Sequence, residues 1–188
     1  MKKHTWIALF LGFVVAHSMA QSQAFLKKKI VTNLSNEKVA LAQVLDNKPF
    51  VLVFFATDCP ICQKYVPILR GVADSFTGTK FLLVFTKWDS LQAIKDFASD
   101  LPKNLTPFWD IKNNLVKKTK AITTPEAFFF NSQGQLLYRG AIDNWFYELG
   151  KYRPEATEHY LKNALTQFFN NETIKLENTK PVGCYIEY

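Results

Sequence analysis

Two cysteines three residues apart, in the run Asp58-Cys59-Pro60-Ile61-Cys62, are the residues best placed to do chemistry. A buried apolar strand leads into them and an amphipathic helix leads away. With the helix beginning near Pro60, Cys59 falls at or beside the N-cap. There its thiolate meets unpaired backbone N–H groups and the positive end of the helix dipole, which lower a thiol pKa. Cys62, one turn further in, can attack a mixed disulfide formed on Cys59. The pair thus reads as an accessible nucleophile and a sheltered resolving thiol. Pro60 suits the first helical position, because its missing N–H would have had no partner there.

Metal binding is the competing use of such a pair. A zinc site takes about four ligands, and this chain offers one pair, a distant Cys184 and a distant His159. The strand-to-helix setting favours redox chemistry over metal, and over an inert structural disulfide. No metal and no organic cofactor are required. Cys184 is read as a small buried residue of a terminal strand, Gly183 to Glu187, with a third redox role, a mixed-disulfide site or a metal contributor as the alternatives.

The elements around the pair follow from periodicity. Phe50 to Ala56, Phe81 to Phe85 and Ala127 to Phe130 are short apolar runs that fit strands buried on both faces. Pro60 to Phe76 carries Ile61, Tyr65, Ile68, Leu69, Val72 and Phe76 at helical spacing. Ser90 to Ala98 and Pro154 to Phe169 predict two further helices, and Gln135 to Gly140 a returning antiparallel strand after an Asn-Ser-Gln-Gly turn. Strands joined through helices imply parallel pairing. The fold class is α/β, a mixed central sheet with helices on both faces. Trp145, Phe146, Tyr147 and Tyr152 fall in a loop and are expected to pack it onto the domain.

Composition narrows the class. A chain of 188 residues that is 48% hydrophobic is neither disordered nor low in complexity, and three cysteines make no stapling framework. Lys2, Lys3 and His4, an apolar run from Trp6 to Ala16, and Ser18-Met19-Ala20 have the three parts of a secretory signal. The run is shorter than the about 17–25 residues that cross a bilayer. Residues 1–20 are therefore expected to be cleaved, leaving 21–188 as one domain with a C-terminal helix and terminal strand. No stable membrane insertion is expected after cleavage. Losing Lys2 and Lys3, and no acid, lowers the formal charge from +7 to +5. No basic cluster is interleaved with stacking aromatics, so nucleic acid is not an expected partner. A periplasmic or secreted protein meets oxidising surroundings, where disulfide chemistry is at home.

With these residues in hand, Phe50-Val51-Leu52-Val53-Phe54-Phe55-Ala56-Thr57 running into Cys59-Pro60-Ile61-Cys62 resembles the active-site strand and helix start of thioredoxin-like proteins. Thr124-Pro125 resembles that family's cis-proline, which faces the redox pair. Tyr65 and Pro67, Arg139-Gly140-Ala141-Ile142-Asp143, and Val182-Gly183-Cys184 are similar to exported redoxins of the AhpC/TSA-type thioredoxin superfamily. The resemblance runs from about Val31 onward. It implies that Thr124 and Pro125 present backbone to a substrate chain. Two positions depart from the pattern. Val53 stands where thioredoxins carry a buried acid, and Ala56 where peroxiredoxins carry a threonine that orients peroxide.

The resulting expectation is an exported thiol–disulfide oxidoreductase acting on protein thiols or disulfides, with Cys59, Cys62, Thr124 and Pro125 at its site. A thiol peroxidase acting on small peroxides is the first alternative, and a copper- or haem-related metallochaperone the second.

Overall fold

A computed structural model describes residues 28–188; the expected signal segment lies outside them. The chain opens with β1 (Ile30–Thr32), β2 (Lys38–Ala40) and α1 (Leu41–Leu45). The redox motif lies between β3 (Phe50–Phe55) and α2 (Pro60–Ser75). Then follow β4 (Lys80–Phe85), α3 (Leu91–Ala98), β5 (Leu105–Trp109) and α4 (Asn114–Thr119). The second half holds β6 (Thr123–Thr124), β7 (Glu126–Phe130), β8 (Leu136–Gly140), β9 (Phe146–Glu148), β10 (Lys151–Tyr152), α5 (Tyr160–Phe169) and β11 (Cys184–Tyr185).

Seven strands form one sheet in the order β2-β1-β5-β4-β3-β7-β8. The three central strands β3, β4 and β5 are parallel, because helices return the chain between them. β7 closes antiparallel on β3, pairing Phe50 with Phe130 and Phe54 with Glu126, and a tight turn brings β8 back antiparallel to β7. The sheet is mixed, with β3 near its middle and all six of its residues buried.

Alternation along β3 divides the core into two layers. Val51, Val53 and Phe55 pack with Tyr65 and Leu69 of α2, Ile94 of α3 and Leu161 and Leu165 of α5. Phe50, Leu52 and Phe54 pack with Leu41 and Leu45 of α1 and Leu115 and Val116 of α4. Each buried Phe or Leu contributes about 1.5–3 kcal/mol relative to exposure. The end of β3 is therefore anchored from both faces, and the motif that follows it sits on a rigid base.

Several elements differ from expectation. The last helix begins at Tyr160, six residues after Pro154. Asn144 holds the intervening segment: its Oδ1 accepts Thr157 N–H at 2.9 Å and Glu158 N–H at 3.1 Å, and its own N–H donates to Glu158 O at 3.0 Å. Those backbone groups are thereby taken up outside any helix. The aromatic segment forms the β9–β10 hairpin, and Trp145 meets Tyr65 of α2 edge-on and Phe146 meets it tilted, at centroid distances of 5.9 and 5.8 Å. No described helix is long and apolar enough to cross a membrane.

Candidate active site

The loop that carries the motif is held in place by a buried carboxylate. Thr57 N–H donates to Asp89 Oδ1 at 2.8 Å, and the other oxygen of Asp89 accepts Thr86 N–H at 3.1 Å. One buried carboxylate thus ties the end of β3 to the end of β4. Burial pushes the Asp89 carboxyl above its usual range, while the Thr57 N–H acts against that rise. Cys59 is the N-cap of α2, with extended backbone (φ −84°, ψ 112°) and no capping hydrogen bond from its side chain. Pro60 occupies the first turn, as the missing N–H favours. Cys59 N–H donates to Ala56 O, and Cys59 O accepts Gln63 N–H, both at 3.3 Å.

Three thiols meet at this helix start. Cys62 is fully buried within α2, and Cys184 Sγ lies 2.7 Å from Cys59 Sγ. Hydrogen bonding from the Cys62 thiol is the largest influence on Cys59 and lowers its pKa; burial opposes this; the Cys184 thiol and the N–H groups of Cys62 and Cys184 lower it further. The net result is a Cys59 pKa of about 5, a thiolate at neutral pH. Cys62 moves the opposite way, well above the ordinary thiol value, first through burial and then through the neighbouring Cys59. Cys184 is pushed up to about 12 by burial and by Cys59, with a smaller contribution from the exposed Asp58. In its protonated form Cys59 donates to Thr124 O, 3.3 Å away.

Thr124 and Pro125 lie across the thiols, both buried, and the bond between them is cis. The chain around them is fixed by Glu126, which is fully buried. Its Oε2 accepts Ile122 N–H at 2.7 Å and Thr123 N–H at 3.4 Å, and its Oε1 pairs with Arg139 Nη2 at 2.9 Å. The charge is paired and its lone pairs are used, which is what tolerates a carboxylate at this depth. Beside Pro125, Tyr65 OH donates to Asp143 Oδ1 at 2.6 Å, and the same oxygen accepts Trp145 N–H at 2.8 Å.

The structure brings Cys59, Cys62, Thr124 and Pro125 into one place. It departs from the sequence reading on two points. Cys59 is 1% exposed rather than accessible, and Cys184 is a neighbour of Cys59 rather than an inert terminal residue. One strand explains both. β11 pairs antiparallel with β6, Cys184 opposite Thr124 and Tyr185 opposite Thr123, and so lays the third thiol against the first. The signal for this was Gly183. A Cβ there would collide with the carbonyl of Thr124, so only glycine permits the approach. Asp89, Glu126 and Arg139 likewise lie outside the predicted site: Asp89 reaches Thr57 across 32 residues, and Arg139 meets Glu126 only because β8 pairs with β7. His159 is exposed at the start of α5. Although three thiols meet, no group of three or more His, Cys, Asp or Glu side chains among the described residues is arranged to hold a metal ion. Val53 is fully buried in the apolar layer that includes Cys62, so no acid projects from that position.

A profile of the AhpC/TSA family matches residues 22–139, a segment that contains Cys59, Cys62, Thr124 and Pro125 and stops well before Cys184. Human nucleoredoxin-like protein 1 is 30% identical over 110 residues, covering 53% of this chain and 52% of that protein. The chain therefore spans about half the length of that curated relative. Among solved structures, a hypothetical protein from Sinorhizobium meliloti superposes with a TM-score of 0.72 at 16% identity, over 85% of this chain and 90% of that one. A secreted disulfide oxidoreductase of Mycobacterium tuberculosis superposes with a TM-score of 0.54 at 20% identity, over 74% and 95%. Identities this low speak to the fold, which is thioredoxin-like, while the matched segment speaks to lineage. With more than half of its length matched, the chain belongs to the AhpC/TSA family of thioredoxin-like redox proteins.

Proposed function

We propose that this protein is an exported thiol–disulfide oxidoreductase acting on protein thiols or disulfides. The observation that carries the reading is the position of Cys59: an N-cap thiol whose ionised form is stabilised by a second thiol one turn into the same helix. Cys59 is the nucleophile. Its thiolate attacks one sulfur of a substrate disulfide; a Cys59–substrate bond forms, the substrate S–S bond breaks, and the second substrate sulfur leaves as a thiolate.

Cys62 then resolves. While Cys59 is ionised, its charge helps keep Cys62 protonated. Once Cys59 is neutral in the mixed disulfide that effect vanishes, so Cys62 becomes easier to ionise when it is needed. Val53 offers no carboxylate for the proton, and the departing substrate thiolate is the base at hand. Cys62 attacks Cys59 Sγ, the Cys59–Cys62 disulfide forms, and the remaining substrate sulfur leaves. Thr124 and Pro125 would present backbone to the substrate chain. Run backwards, the same steps oxidise a substrate dithiol.

Export is supported by the basic start, short apolar run and Ser18-Met19-Ala20, and the M. tuberculosis neighbour is itself secreted. Produced as the full chain in a bacterium, the exported pool should begin at Gln21 by intact mass; an unprocessed chain confined to the cytoplasm would remove this part of the reading. The activity is tested by reduction of a disulfide-bonded model protein beside consumption of hydrogen peroxide. We expect disulfide reduction that falls by about 10³-fold or more in Cys59→Ser, the scale of losing a covalent nucleophile. Peroxide turnover without disulfide exchange would replace this function with that of a peroxidase.

A further inference from the structure

The backbone of Thr124, beside the reactive thiol, is the edge along which a substrate strand would be expected to pair. That edge is already taken. β11 runs antiparallel along it, and Gly183 lies so close to Thr124 O that no side chain would fit. The strand is held by scattered contacts further along. Ile186 N–H donates to Ile122 O at 3.0 Å, Trp88 Nε1–H and Asn113 Nδ2–H donate to Glu187 O at 2.9 and 3.4 Å, and Tyr188 OH donates to Ala121 O at 2.5 Å. Open clefts of about 480 and 450 Å³ lie on its two sides. The first is lined by Thr123, Gly183 and Tyr185, the second by Ala56, Trp88 and Cys184. The strand is a narrow strap between the two clefts, and its cysteine lies against the reactive thiol, Sγ to Sγ 2.7 Å.

We propose that Cys184 is a third redox thiol of this site: carried on β11 in the position of a substrate strand, it forms a reversible disulfide with Cys59. It resolves mixed disulfides from the groove side, as Cys62 does from within the helix. The proposal rests on the reading of Cys59 as nucleophile. In the first step Cys59 takes one sulfur of a substrate disulfide and the other leaves as a thiolate. That thiolate accepts the proton of Cys184. Cys184 then attacks Cys59 Sγ; the Cys59–Cys184 bond forms, the Cys59–substrate bond breaks, and the second substrate sulfur departs. Two electrons have moved from Cys59 and Cys184 to the substrate. Attack by Cys62 on Cys59 Sγ afterwards exchanges one internal disulfide for the other with no net oxidation, and frees β11 from its covalent tie. A substrate strand displaces β11 to enter, and the return of β11 brings the resolving thiol with it.

The test uses glutathione disulfide as the oxidant and the full chain in two variants, Cys62→Ser and Cys62→Ser/Cys184→Ser. With Cys62 absent, the proposal requires the single variant to finish two hydrogens lighter, with peptides containing Cys59 and Cys184 linked after digestion. The double variant should stop as a glutathione adduct on Cys59. The adduct should be about tenfold or more scarcer in the single variant, since an intramolecular thiol competes at an effective concentration of about millimolar or above. Equal and lasting adducts on Cys59 in both variants would overturn the role of Cys184 and leave the nucleophile intact. No adduct in the double variant and no linked peptide in the single one would overturn the reading of Cys59 itself, and the proposal with it. Circular dichroism of both variants, compared with the parent chain, shows that the fold is present while the thiols are read.

Discussion

Cys59 has a thiol on either side, and the two are held by different kinds of structure. Cys62 is three residues away in the same helix, fully buried in an apolar layer. Helix geometry places it, and it cannot leave without unwinding the first turn of α2. Cys184 is 125 residues away in sequence, partly exposed, on a two-residue strand tied down by a few hydrogen bonds. Burial is the first cause of the raised pKa at both. Yet one neighbour is fixed by its own helix, and the other is placed by a strand that the proposed resolution step displaces and returns. Nearness set by local geometry costs little further ordering, whereas nearness set by a returning strand must offset the entropy of bringing that strand back.

Loosening the strand without touching any thiol should break the comparison most sharply. In Gly183→Val the new Cβ meets the Thr124 carbonyl, which is backbone and cannot swing aside, so β11 must lift. A docking loss of about 1.4 kcal/mol would raise exposure of Cys59, and its alkylation rate by iodoacetamide at pH 7, about tenfold. The environment of Cys62 should be unchanged. An unaltered rate would mean that β11 does not shield the nucleophile.

The pH profile of the same reaction sharpens the comparison by a smaller margin. Cys59 should alkylate with a midpoint near its pKa of about 5. Each neighbouring thiol donates to the thiolate, so removing either destabilises the ionised form and moves the midpoint up. Cys62→Ala should move it further, because Cys62 is the larger cause. Cys184→Ala also lets water reach Cys59, which lowers the pKa and offsets part of the rise. A midpoint that moves more for Cys184→Ala than for Cys62→Ala would reverse the ranking of the two neighbours.

What was legible in the sequence was local. Phe50 to Phe55 reads as a buried strand because a chain covered on both faces must be apolar throughout, and the core confirms both coverings. The helix from Pro60 shows its 3.6-residue period and its proline start in the sequence itself. The redox pair needed only three residues of spacing. The short strands β1, β2 and β6 have no such signature, since two or three residues carry no measurable period. Pro154 was a reasonable helix start, but an asparagine ten residues upstream claims the backbone groups that the first turn would use.

Periodicity and short spacing, which act over distances the chain cannot avoid, make the fold class and the dithiol at a helix start readable in the sequence, and the resemblance of its motifs carries the lineage. That Cys59 is covered, that the Asp89 carboxylate steadies its loop, and that a third thiol faces it all arise from packing between distant segments. Those facts depend on which backbone edge a distant two-residue strand selects. That selection is made by hydrogen bonds, which leave no pattern along the chain, and by the absence of a side chain at Gly183, a single residue whose meaning shows only with Thr124 beside it.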